Sequence, residues 1–72
     1  MKRFDSKALY AELDTERERR NLSWREVASE IGVSVSTIAR TQNGGRMEVD
    51  GMLAMVGWLN LPVETFVRQS EN

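Results

Sequence analysis

Two helix-start signals stand eleven residues apart in this chain, with a glycine between them. The first is Leu22-Ser23-Trp24-Arg25-Glu26-Val27. Here Ser23 can cap the helix, Glu26 can reach back to the Ser23 amide, and Leu22 with Val27 can close a hydrophobic staple. In the second, Ser34 is the cap and Val33 pairs with Ile38. Gly32, just before it, readily adopts the positive φ that a left-handed helix end needs. The pattern predicts two short helices, 24–31 and 35–42, with Asn43-Gly44-Gly45 ending the second. Few folds place two such short helices across so tight a turn.

The flanks also read as helix. No Gly or Pro precedes Gly32, and Asp5 or Ser6 can cap a helix over 6–20 with Leu9, Tyr10 and Leu13 at helical spacing. Asn21 is a suitable left-handed stop. Asp50 can cap a fourth helix, 51–59, ending at Asn60, and Pro62 suits the first position of a fifth, 62–68. No alternating stretch is long enough for a strand. The expectation is an all-α chain of five helices forming one domain over 1–72.

A chain of this length buries only about 60% of its surface on folding, so it needs good helices and can gain from a partner. Residues 52–59 are apolar on every side, unlike a surface helix with one wet face. Either the first and fifth helices wrap this run, or one of its faces meets another molecule. A symmetric homodimer through the fourth and fifth helices is the preferred expectation, with Trp58 and Phe66 as anchors beside Met55 and Leu59. Met52 and Met55 also suit gap-filling in a core.

There is no Cys and no His, which removes disulfides, zinc-finger ligation and thiol or imidazole catalysis. Cysteine-free composition fits a reducing cytoplasm. The run 52–59 is far short of a membrane span, and no hydrophobic stretch follows the charges of Met1-Lys2-Arg3-Phe4-Asp5 to make a secretory signal. Glu12, Asp14, Glu16 and Glu18 read as solvated helix charge, with Glu16 and Arg20 spaced to pair. Neither an enzyme, a metal, a cofactor nor a small-molecule ligand is indicated.

Net charge is −1 and the pI about 5.4, the wrong sign for a typical nucleic-acid binder. The total conceals a gradient. Residues 1–21 carry six basic and five acidic side chains, 22–46 three and two, and 47–72 one and four. Between Val33 and Met47 the only charges are Arg40 and Arg46, so a local basic patch survives in a nearly neutral chain.

The paired short helices have the spacing of a helix-turn-helix, whose second helix enters the major groove while the first crosses the backbone. Each fixed position has a reason: Ala28 is small where the helices cross, Gly32 permits the turn, and Val27, Ile31, Val33 and Ile38 point inward. The stretch Leu22 to Ala28, then Gly32 to Arg40, Asn43-Gly44 and the apolar helix ending Trp58-Leu59-Asn60-Leu61 resembles the Cro and lambda-repressor-like (XRE) family over roughly residues 9–67. That resemblance implies a five-helix DNA-binding domain, a third helix that reads operator DNA, and a homodimeric transcriptional regulator, here a small repressor of double-stranded DNA.

By the same resemblance, Ser34, Val35, Ser36 and Arg40 are the base-reading side chains. Arg40 can fork onto a guanine, and Val35 can meet a thymine methyl. Ser34 has a competing role as N-cap. Backbone contacts are expected from Ser23, Trp24 and Arg25 at the start of the second helix, and from Thr37, Asn43, Gly44 and Arg46. Trp24 stands where family members often have Gln, and it can instead pack against the first helix. Arg17 stands where the family commonly has an Arg paired with a Glu at the end of the third helix. Gln42 occupies that end here, reducing the pair to at best a hydrogen bond, and Thr41 replaces a usually apolar inward residue. The alternative is an antitoxin-like or other partner-binding module that uses the apolar fourth helix.

Overall fold

The computed structural model describes residues 1–69. Its elements in chain order are β1 (Lys2–Phe4), α1 (Ser6–Arg19), α2 (Trp24–Ile31), α3 (Val35–Gln42), α4 (Val49–Leu59), a 3-10 turn (Val63–Phe66) and β2 (Val67–Gln69). Helices α1 and α2 each pack against α3 and α4, and the two strands close the ends of the chain together.

Helix α1 begins where Asp5 accepts a hydrogen bond from the Ala8 amide at 3.0 Å. It ends in a left-handed turn with Asn21 at φ 58°, where the Asn21 and Leu22 amides donate to the carbonyls of Glu18 and Arg17. The full capping box at α2 is present: Glu26 donates its amide to the Ser23 hydroxyl, and the Ser23 amide donates to the Glu26 carboxylate at 2.8 Å. Those hydrogen bonds to the Ser23 backbone and hydroxyl hold the Glu26 carboxyl below its ordinary pKa. At φ 90°, Gly32 is left-handed, and the next cap, Ser34, accepts from the Thr37 amide.

The core is assembled from one or two residues per element: Leu9 and Leu13, Val27 and Ala28, Ile38, Met55 and Val56, and Phe66. Thr41, although fully buried, is satisfied. Its hydroxyl donates to the Thr37 carbonyl one turn back at 3.1 Å and lies 3.8 Å from the Met55 sulfur, so α3 docks with a polar residue in an apolar position.

Three expectations need correction. The first concerns the number of helices. Among the described residues there are four α-helices, and the region expected to be a fifth, 62–68, is a 3-10 turn followed by a strand. The strand forms because the Phe66 carbonyl accepts from the Asp5 amide at 2.7 Å and the Phe66 ring packs on Phe4 at 5.8 Å, drawing Val67–Gln69 alongside Lys2–Phe4. The second correction is at α4, which starts earlier, with Glu48 as N-cap and no side-chain cap bond. Asp50 lies inside the first turn, where its charge complements the helix dipole.

The third correction concerns the dimer residues. Met55 and Phe66 are 0% and 1% exposed within the single chain, so neither has surface left for a second copy. Trp58 and Leu59 are half-buried. The Trp58 indole donates to Glu30 at 3.0 Å, and the Arg20 guanidinium lies over its ring at 4.5 Å, tying the ends of α1, α2 and α4 together. Helix α4 is wrapped on one side only. Val49, Leu53 and Gly57 form an exposed line at helical spacing along it, and Leu61, just beyond the left-handed Asn60, is exposed too.

Candidate nucleic-acid interface

The outer face of α3 is built by what its inner face must bury. With Ile38 and Thr41 turned into the core, helical geometry turns Val35, Ser36, Ala39, Arg40, Gln42 and Asn43 outward, and all six are exposed. Val35 is 47% exposed, a large apolar side chain left in water on an otherwise polar face. The Ser34 hydroxyl is engaged by the Thr37 amide and lies 2.9 Å from the Thr37 hydroxyl. Thr37 itself is half-buried, with its methyl facing Gly51.

The start of α2 stands beside this face. Ser23 and Arg25 are exposed, whereas Trp24 is held on both sides: its ring stacks on Tyr10 at a centroid distance of 5.0 Å, and the Arg17 guanidinium lies 5.0 Å from its centre. Packing against α1 is thus observed for Trp24, with part of its surface still free. Arg17 also donates to Asp14 and to the Leu22 carbonyl at 3.0 Å, fastening the α1–α2 connection. Arg17 and Gln42 are therefore not joined. Among the described residues the Gln42 side chain makes no hydrogen bond. Sequence reasoning assigned Gln42 to Arg17 and so overlooked it as an exposed amide on the outer face of α3.

Beyond α3, Asn43, Gly44, Gly45 and Arg46 are exposed. Gly44 has φ 76°, a backbone conformation that favours glycine, and a Cβ placed there would come within 2.9 Å of the flexible Lys7 side chain, which would have to shift. Arg40 and Arg46 both line a hollow of about 180 Å³, together with Val33, Met47, Met55 and Glu48. The surface therefore holds a polar central face between two edges, each offering backbone amides and an arginine.

A helix-turn-helix family model matches residues 13–47. This stretch, just under half of the chain, is similar to that family. The match begins inside α1 and ends just before α4, so it includes all of α2 and α3. The match supports the resemblance to lambda-repressor-like regulators and, in general terms, a DNA-binding regulatory role. No curated protein and no solved structure matches the chain. Among the described residues no group of His, Cys, Asp and Glu could hold a metal ion, and no helix is long and apolar enough to cross a membrane.

Proposed function

We propose that this protein is a sequence-specific, double-stranded DNA-binding transcriptional regulator, a small repressor, with α3 in the major groove. The observation that carries the reading is the exposed face of α3, with hydroxyls, an amide and Arg40 set between the capped start of α2 and the Arg46 loop. In this reading Arg40, Ser36, Val35 and Ser34 meet base edges, with Gln42 added as an amide suited to adenine. Ser23, Trp24, Arg25, Thr37, Asn43, Gly44 and Arg46 hold phosphates.

Selection of bound duplexes from a randomised library tests the proposal. Arg40→Ala is expected to relax preference at one base pair, costing about 1–3 kcal/mol of discrimination, whereas Arg46→Ala weakens binding to all sequences alike. Equal affinity of the wild type for every library member would overturn it.

The operator complex is proposed to hold two copies of a single-domain chain. Their contact uses exposed Val49 and Leu53 on α4 and Leu61 just beyond it, with the free edges of Trp58 and Leu59, in place of the buried Met55 and Phe66. Two modest basic surfaces on one duplex bind far better than one, which answers the low net basicity. A selected site with two half-sites about one helical turn apart supports this assembly, and a single asymmetric half-site overturns it.

A further inference from the structure

Resting on that DNA-binding reading, we infer that β1 and the start of α1 form a second phosphate-binding flank, in which Arg3 and Lys7 extend the basic edge of Arg46. Arg46 is far from Arg3 and Lys7 in sequence, and the three border adjoining hollows in the fold. The Lys7 stem lies against Gly44, as the 2.9 Å approach to a Cβ there requires. A surface hollow lined by Arg3, Asp5, Lys7 and Gly44 adjoins another lined by Phe4, Gly44, Gly45 and Arg46. Gly44 and Phe4 belong to both walls or their rims, so the cations border one continuous strip.

Among the described residues, Asp5 is the one acidic side chain lining these two hollows, and it already accepts from the Ala8 amide and pairs with Arg68 at 3.3 Å; Glu48 borders Arg46 on the hollow beside α3. Among the described residues, Arg3 and Lys7 make no ion pair, and both are exposed. Strand register sets Arg3 directly opposite Arg68, an arrangement that costs stability when nothing negative lies between like charges. Arg68 is relieved by Asp5 and by the Thr65 carbonyl at 2.8 Å; Arg3 is left facing outward. A polyanion passing the Gly44 turn would neutralise it.

The 3-10 turn and β2 thereby acquire a role at the DNA surface without touching it. Pairing with β2 and the Phe4–Phe66 contact hold β1 in place, so its cations are fixed by the fold rather than carried on a loose arm. Contacts of this kind supply affinity and register but carry no base preference.

The test measures binding of the full chain to a selected duplex and to a scrambled duplex across a salt series. The double variant Arg3→Ala/Lys7→Ala is expected to lower the salt slope by about 2, so that the wild type loses about tenfold more affinity than the variant between roughly 50 and 200 mM salt. At low salt both duplexes should weaken by the same factor. Arg19→Ala removes one cation near the far end of α1 and is expected to leave the slope unchanged. A double variant with the wild-type slope, or an equal loss in Arg19→Ala, overturns the inference, and thermal melts verify that each variant is folded. If Arg46→Ala flattens the slope while the double variant does not, the flank fails and the DNA-binding reading stands. If the wild type binds neither duplex, the reading itself fails and the flank with it.

Discussion

The α2–α3 pair and the β1–β2 ribbon are the two shortest-built parts of the molecule, and they owe their form to opposite causes. In the helix pair, every boundary is set by a residue within a few positions of it: Ser23 and Glu26, Gly32, Ser34. In the ribbon, three-residue strands from opposite ends of the chain are held by Phe4 on Phe66 and by the Asp5 amide on the Phe66 carbonyl. Local chemistry fixes the helix pair, and remote chemistry fixes the cations beside it.

The comparison can be broken most forcefully at the ribbon. Phe66→Ala removes a fully buried ring that joins the ribbon to the core, and it is expected to cost about 3–5 kcal/mol in a urea titration. A cost below that of losing one helix cap would show the ribbon to be an ornament. Next in size, Gly32→Ala puts a side chain at φ 90° with no steric neighbour, so the conformational penalty alone is felt, about 1–2 kcal/mol by the same titration. Ser23→Ala removes half of the capping box and should cost about 1 kcal/mol, with the loss concentrated in amide exchange at the start of α2. Uniform loss of protection across all helices in that variant would contradict a locally determined α2.

The smallest effect concerns the outer end of α1. Hydrogen bonds from Arg19 and Arg20 hold the Glu16 carboxyl down from 4.5 to about 2. A depressed carboxyl contributes above its unfolded pKa and loses that contribution as pH falls through the folded one. The melting temperature of wild type should therefore exceed that of Glu16→Gln near neutral pH by a small margin, because the pair is solvent-screened, and the margin should close between pH 4.5 and about 2. A margin that is constant over that range would show that the Glu16 charge is irrelevant.

The same contrast explains what the sequence could reveal. Capping and left-handed glycine have short-range signatures, so both helices of the pair were legible to the residue, as was the outward face of α3 that follows from burying Ile38. The ribbon was not. Val67-Arg68-Gln69 is too short to show alternation, and only Phe4, distant in sequence, makes it a strand. Glu48 gives α4 no side-chain cap bond, so Asp50, a chemically better cap, marked the wrong start. Met55 reads equally well as interface or core in the sequence, because an apolar helix does not declare which side its own chain covers, and Phe66 reads as its neighbour in a fifth helix that the chain does not form. At the candidate site, Gln42 was hidden by a pairing that Asp14 and the Leu22 carbonyl take over, and Lys7 by a contact with Gly44 that exists only in three dimensions.

Because Lys2 pairs with Gln69, the last strand contact to form must close a loop of nearly the whole chain. Such closure raises contact order and slows folding, although most of the helix packing is nearer neighbour work. Joining the two strands by a short turn and opening the backbone elsewhere would turn the most distant pairing in the molecule into a hairpin. That rearranged connectivity should fold faster while presenting the same surface.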